Sequence, residues 1–417
     1  ERPRACRPLL LFPSERDPDS KRFERRKPAR PATFSRYSGG SRGNPTHFEG
    51  CWRAGYLERS RTLEVGIGPP IVTRDTTDGR KLRAGIIGLG VGERHIAGYQ
   101  TDPRCVVTAV CDTDAPKLGE VGRRYPEIRT TSEPEDIFAD PAIDVVSVAS
   151  YDDAHRNQIV AALSSGKHVF VEKPLCLTRS EYQDILQTFR KTSGLRLSSN
   201  LILRKEPRFA HLKHRISKGM FGDLYFLEGD YDYGRLSKIT SGWRGSLPDF
   251  SVVHSGAIHL IDLLLWLSES PVAQVFAYGT GISTRKTSFG KEDTVVALLK
   301  FADGAVGKVS ANFASMTPHH HRVSVYGTKA TFEQGHLGAA YLHSRDPAQK
   351  PELLAGPYPS AAKGDILPSF VKSILDGTDP LVTEQEVFDA MNLSLAIEES
   401  LSSGRPVTPK YEEVRAQ

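Results

Sequence analysis

From Lys81 onward the chain alternates short apolar runs with stretches in which apolar residues recur every three or four positions. Residues 83–88, 106–111, 144–149 and 168–171 are mostly apolar and read as strands buried on both faces. Helical patterns lie between and after them. Ile159, Val160 and Leu163 share the face of a helix that Gly166 ends, and Tyr182, Ile185, Leu186 and Phe189 stand at i, i+3, i+4 and i+7. The second pattern follows Thr178-Arg179-Ser180-Glu181, which has the form of a capping box. Strands separated by helices predict a parallel sheet with right-handed crossovers, so residues 81–200 read as a Rossmann-type, doubly wound α/β domain.

Past residue 220 the period changes. Residues 223–231, 272–281, 294–301, 305–313 and 322–326 read as longer strands with few helices between them, and Ala302-Asp303-Gly304 marks a hairpin turn. Two late helices are well marked: one from near Pro368 to Gly377, the other boxed by Thr383 and Glu386 and closed by Gly404. Residues 201–417 are therefore expected to form an α+β domain, with a large, mainly antiparallel sheet that binds substrate and pairs copies of the chain.

Residues 1–80 are a different kind of sequence, rich in Arg, Pro, Ser and Gly and without a sustained period, so a disordered extension is the expectation. They hold 17 Lys/Arg against 10 Asp/Glu, a surplus of 7 in a net charge of +5, which leaves the other 337 residues at −2. The patterned part lacks the concentrated basic face that phosphate backbones require, and nucleic acid is not expected as a ligand. Five cysteines, at positions 6, 51, 105, 111 and 176, form no CxxC pair and no metal-ligand spacing. Such a set suits a reducing compartment, and the cytoplasm is the expected location. No apolar run reaches the roughly 18 residues of a membrane span.

Candidate chemistry clusters at the ends of the early strands. Gly88-Leu89-Gly90-Val91-Gly92 follows the first strand and opens a helix, where glycines let backbone N–H groups approach a pyrophosphate. Asp112 ends the second strand, 24 residues after Gly88, placed to accept hydrogen bonds from ribose hydroxyls and to repel a 2′-phosphate. Phe170-Val171-Glu172-Lys173-Pro174-Leu175 puts a lysine just past a buried strand, with a proline to fix the turn. His259 and Asp262 stand at i and i+3 of a helix, where a carboxylate can orient an imidazole. Trp243-Arg244 offers an aromatic face and a guanidinium to a sugar or an anion. His319-His320-His321 suggests a metal by composition only, because on a strand only His319 and His321 share a face.

In this order, the glycine loop, the Glu-Lys-Pro turn and the His259-x-x-Asp262 helix resemble the glucose-fructose oxidoreductase/inositol dehydrogenase (Gfo/Idh/MocA-like) family of nicotinamide-dependent oxidoreductases, over roughly residues 82–405. Asp112 favours NAD over NADP. The resemblance implies hydride transfer between NAD and a secondary alcohol of a sugar, cyclitol or sugar derivative. It also implies Lys173 and His259 as the catalytic pair. The implied cofactor residues are Gly88, Gly90, Val91, Gly92, Asp112, Tyr151, His155, Glu172 and Lys173. Trp243, Arg244, Ser255 and His259 are the candidate substrate residues, no metal is expected, and a homodimer or homotetramer is. The sequence departs from the family pattern at several points: Glu93 replaces a glycine, His95 comes one residue early, Tyr151-Asp152 stands for Pro-Asn, and Ser255 stands for Asp. The last change also suits a rival reading, an NAD(H)-binding sensor that kept the fold without turnover.

Overall fold

The computed structural model describes residues 80–415. The extension expected over residues 1–80 lies outside them, apart from Arg80.

Six strands form the first sheet: β1 (Leu82–Ile87), β2 (Cys105–Cys111), β3 (Arg129–Thr131), β4 (Val145–Val148), β5 (His168–Val171) and β6 (Leu197–Ser199). All are parallel, in the order β3-β2-β1-β4-β5-β6. Their apolar composition follows from burial: β4 and all of β5 beyond its first residue are covered on both sides. Strand order reverses between β1 and β4, and the loops leaving these two strands meet there. A Cβ on Gly88, whose φ is +87°, would lie 2.4 Å from the Ala149 carbonyl oxygen. This reversal is where doubly wound sheets form a ligand crevice.

The second sheet holds β7 (Leu224–Asp232), β8 (Val272–Thr280), β9 (Thr294–Phe301), β10 (Val306–Asn312), β11 (His320–Gly327), β12 (Thr331–Gly335), β13 (Gly338–Leu342) and β14 (Glu352–Leu354). Its order is β14-β13-β12-β11-β7-β10-β9-β8. Neighbours are antiparallel except β7 and β10, which run parallel, so the sheet is mixed rather than wholly antiparallel. In β9, Val295, Ala297, Leu299 and Phe301 are buried while Val296 and Leu298 are exposed. The buried side packs under the helices Ile258–Ser268 and Glu384–Ser403. The other side leaves Tyr278, Val296, Leu298 and Val306 open.

Local signals set most element ends. Thr178 and Thr383 each form the reciprocal capping box with Glu181 and Glu386. The last two helices end at Gly377 and Gly404, both left-handed with φ of +68° and +63°. The three-residue strands β3 and β6, and all of β12 to β14, had no counterpart in the reading of the sequence. None of the helices among the described residues is long and apolar enough to cross a membrane.

A buried ion cluster ties the two sheets together. Arg204, 2% exposed, lies in the turn after β6 and donates to both oxygens of Asp262, with its closest contact at 2.5 Å. It also donates to Glu386 at 2.6 Å, which joins both covering helices to the first sheet. Burial pushes the Asp262 carboxyl up to about 6, against the pull of Arg204, so the pair stays charged at neutral pH. Arg204→Met would leave Asp262 buried and uncompensated. It is expected to cost about 3–5 kcal/mol, read as a lower denaturant midpoint at unchanged slope.

Candidate active site

At the carboxyl ends of β1, β2, β4 and β5, the turns that follow converge on one crevice. The helix Glu93–Gln100 begins directly after the glycine loop, and its N-terminus closes one side. A Cβ on Gly92 would sit 2.1 Å from the Gly88 carbonyl oxygen, whereas one on Gly90 would meet nothing within 4 Å. The loop is thus packed at Gly92 and open at Gly90, a cradle that a diphosphate can approach. Asp112 accepts from the Leu89 amide at 2.6 Å and from the Asp114 amide at 2.9 Å, which joins β2 to the glycine loop.

Glu172 and Lys173, the two residues that follow β5, face different ways. Glu172 turns inward, 6% exposed, where His95 Nε2 at 3.2 Å and Asn200 Nδ2 at 2.6 Å hold its Oε1. Burial alone would raise this carboxyl; the His95 hydrogen bond and the nearby Lys363 bring it down to about 2. Glu172, expected at the cofactor, is therefore an internal anchor. His95 is explained by the same contact, with its Nδ1 facing Ser147 at 3.1 Å. Lys173 instead crosses to the second domain's side and donates to the Ser255 carbonyl at 2.8 Å. The Lys173–Pro174 bond is cis. His155 Nδ1–H donates to the Pro174 carbonyl at 2.7 Å, so this histidine supports the turn.

The partner side is a helix with an irregular first turn. Val253–Ala257 is π-helical and runs into Ile258–Ser268, which presents the Ser255 carbonyl to Lys173. His254 points away and pairs with Ser394 at 2.8 Å. His259 is 5% exposed, and its Nδ1 has no hydrogen-bond partner among the described residues. The expectation that Asp262 orients His259 is corrected: Asp262 is taken by Arg204, one turn further into the core. Among the described residues no carboxylate replaces it, and Ser255 contributes its main chain to the contact with Lys173.

Rings complete the site. Tyr231 stacks toward His259 at 6.3 Å and meets His319 and His321 edge-on at 5.1 and 5.3 Å. His319 stands just before β11, so the expected shared strand face begins one residue late, yet its ring meets that of His321 at 4.9 Å, and Tyr358 pairs with His321 Nδ1 at 2.7 Å. No group of His, Cys, Asp or Glu among the described residues could hold a metal ion. Tyr151 of the first domain and Trp243 of the second come together, their ring centres 4.4 Å apart, with Arg244 lying 4.3 Å over Trp243. The sequence reading missed Lys363. It lies in the segment before the helix Leu367–Asp376, and its carbonyl accepts from Asn200 Nδ2 at 2.8 Å. Its charge reaches Lys173, His259, His319 and His321.

These neighbours set the protonation of the site. Burial, with Lys363 and Arg244 nearby, lowers the Lys173 ammonium to about 8 against the pull of Asp152. Burial and the charges of Lys173 and Lys363 hold the His259 imidazole well below its usual value. His259 is therefore neutral at pH 7, and Lys173 titrates close to it.

Two family models match the chain. One, described as an oxidoreductase family with an NAD-binding Rossmann fold, covers residues 82–200, and the GFO/IDH/MocA C-terminal domain covers residues 209–333. The myo-inositol 2-dehydrogenase of Thermotoga maritima is 26% identical over 355 residues, 80% of this chain and 99% of that protein. The NAD-linked scyllo-inositol 2-dehydrogenase of Bacillus subtilis is 24% identical, over 78% of this chain and 96% of its own. Among solved structures, a levoglucosan dehydrogenase in complex with NADH and levoglucosan aligns with a TM-score of 0.70 at 22% identity, covering 79% of this chain and all of that one.

The two glycines separate fold from binding. Gly90→Ala is expected to keep the melting temperature and weaken NADH binding by at least about tenfold, since an open Cβ would occupy space the diphosphate needs. Gly92→Ala is expected to lose both, because its Cβ meets backbone. NADH fluorescence titration beside thermal melts checks the split.

Proposed function

We propose, on the premise that the chain belongs to this NAD-binding oxidoreductase family, that it oxidises and re-reduces a secondary alcohol of a sugar, cyclitol or sugar derivative. The observation that carries the reading is the Lys173–Ser255 contact, 2.8 Å, which sets the Glu-Lys-Pro turn against the helix bearing His259. Residues 81–200 serve the cofactor and 201–417 the substrate. Gly88, Gly90, Val91 and Gly92 cradle the diphosphate. Asp112 has its remaining acceptor capacity for the ribose hydroxyls, favouring NAD over NADP. Tyr151, braced by His155's turn, borders the nicotinamide end with Trp243. When bound, NAD supplies the acceptor or donor of hydride.

The protein's own part is to manage the hydroxyl proton. Neutral Lys173 accepts it as the carbinol becomes a carbonyl, and the ammonium returns it in the reverse direction. His259 is held neutral by burial and by its cationic surroundings, so it positions the hydroxyl through its unpartnered Nδ1 instead of storing the proton. Trp243 and Arg244 bound the far side of the substrate. The relatives' names, inositol and levoglucosan dehydrogenases, support a polyol as the substrate class. A sensor without turnover gains nothing from a lysine poised near neutrality, and we set that reading second. The three free, buried cysteines among the described residues suit a reducing compartment, and we place the protein in the cytoplasm.

The sign of the pH dependence follows from the direction of the Lys173 shift. Below about 8 the ammonium cannot accept a proton, and above it the amine can. For oxidation, kcat/KM is therefore expected to rise with pH and level off above a midpoint at or slightly below about 8, because the positive nicotinamide ring lowers the lysine further. For reduction the limb is expected to fall over the same range. Lys173→Met should cut turnover by about 10²–10⁴-fold with NAD affinity little changed. His259→Ala should cost a similar factor, and the double variant no more than about the worse single. A full pH limb persisting in Lys173→Met would assign the titration elsewhere.

We further propose that copies pair through the open face of the second sheet, where Tyr278 is 71% and Leu298 59% exposed. Light scattering is expected to report a dimer or tetramer, and Leu298→Asp to shift it toward monomer.

A further inference from the structure

Of the departures from the family pattern, Glu93 takes no part in the chemistry proposed above. It is the first residue after the glycine loop and opens the helix Glu93–Gln100. Its side chain reaches across to the helix Ala115–Arg124, where Oε2 accepts from Lys117 Nζ at 2.5 Å and Oε1 pairs with Arg124. Lys117 and Arg124 stand two turns apart on one face of that helix, so a single carboxylate can meet both. The bonded ammonium holds the Glu93 carboxyl below its usual range, and Glu93 in turn raises the lysine. Both are therefore charged at neutral pH. A fully exposed pair would hold its partners weakly, but the Glu93 side chain is 17% exposed and that of Lys117 29%.

The pair closes a ring of contacts between the glycine loop and the end of β2. Asp112 accepts from the Leu89 and Asp114 amides, and Asp114 accepts from the Lys117 amide at 3.1 Å. Lys117 Nζ then returns to Glu93, the neighbour of Gly92. A ribose whose hydroxyls meet Asp112 lies against this ring. Within the ring Asp112, Asp114 and Glu93 are carboxylates, and Lys117 is the one cation. A 2′-phosphate is accommodated where a cation beside the ribose is free to bond it. Here that cation is already bonded, and Glu120 stands 3.9 Å from it on the other side. Asp112 is not a complete barrier by itself, since each of its oxygens accepts an amide.

We infer that Glu93 determines cofactor specificity: by holding Lys117 it withholds the one cation of this ring from a 2′-phosphate, so that NAD is favoured over NADP. This rests on the reading that Asp112 meets the ribose, and adds a second determinant to it. Arg124 lies two turns further along its helix with a side chain 56% exposed, and its part is to keep the Glu93 carboxylate turned toward that helix. Glu93 thus acts through Lys117.

The test measures dissociation constants of NADH and NADPH on the full chain by fluorescence titration and takes their ratio, which a merely structural role would not move. Glu93→Gln keeps the size of the side chain and leaves the Lys117 ammonium without its ion partner. It is expected to shift the ratio toward NADPH by about tenfold, the size of one charge-assisted hydrogen bond. Adding Lys117→Met should cancel that gain, whereas Lys117→Met alone should leave the ratio where it is, because the lysine is already taken. Competition of adenosine 2′,5′-bisphosphate against 5′-AMP for the NADH site repeats the comparison without the nicotinamide, and needs no turnover. An unchanged ratio in a folded Glu93→Gln protein would overturn the inference. Equal gains for both cofactors would also overturn it, assigning Glu93 to repulsion of the diphosphate. So would a loss of NADPH relative to NADH in Lys117→Met alone, an outcome that can be read even where Glu93→Gln does not fold. Asp112→Ser keeps the two readings apart: a shift there with none in Glu93→Gln overturns the inference alone, whereas a wild-type ratio near one overturns the ribose assignment and the inference with it.

Discussion

A carboxylate buried at the end of a parallel strand has to find its partners inside the protein, and the whole crevice is arranged around how Glu172 finds them. Its two partners come from different directions. His95 belongs to the helix that the glycine loop opens, and Asn200 follows β6. The Asn200 amide group also holds the Lys363 carbonyl. One anion thus fixes the helix behind the diphosphate cradle, the turn carrying Lys173 and the segment carrying Lys363. Unpaired, a group so buried would cost several kcal/mol or give up its charge; paired, it stays ionised well into acid. Lys173 is the next residue along the chain, just past β5, and with Glu172 anchored inward the lysine turns to the Ser255 carbonyl instead.

That lysine would be an ordinary surface cation without the second domain. The Ser255 carbonyl gives it one acceptor, but a neutral one, so burial is only partly compensated and the ammonium is destabilised. The π-helical first turn is what presents this carbonyl. In a regular α-helix it would be committed to the amide four residues on, and a wider turn alters that ladder at the point where the chain faces the crevice. Ser255, where the family resemblance implies an aspartate, brings no charge of its own to this contact. The serine and the depressed lysine belong to the same electrostatic design.

Features of the sequence were legible where they are local. Glycines that a Cβ would drive into backbone, capping boxes at Thr178 and Thr383, and the Glu-Lys-Pro turn after an apolar run each carry their cause within a few residues. What was not legible depends on distance along the chain. The parallel pairing of β7 with β10 joins residues about 80 positions apart, and β3 and β6, three residues each, are strands only because a neighbour supplies the ladder. Asp262 sits one turn from His259, but its partner is Arg204, 58 residues away, and helical spacing cannot reveal which neighbour wins a carboxylate. Lys363, in an Ala-Ala-Lys-Gly stretch, carries no pattern at all; only Glu206 and Asn200, both distant, give it a place.

The histidines make the last link between charge and chemistry. An imidazole among carboxylates would be cationic and would act as an acid, whereas His259, His319 and His321 lie among lysines, tyrosines and each other. Burial and those cations keep all three neutral, so the positive charge of the cleft resides on the lysines and arginines and does not follow pH through the histidines. Beside these imidazoles, Lys173, lowered to about 8 by burial with Lys363 and Arg244 nearby, can change charge close to neutral pH, and the proposed proton transfer falls to it. A histidine that changed charge over the same range would alter the field at the lysine with every protonation step, and imidazoles held neutral avoid that coupling.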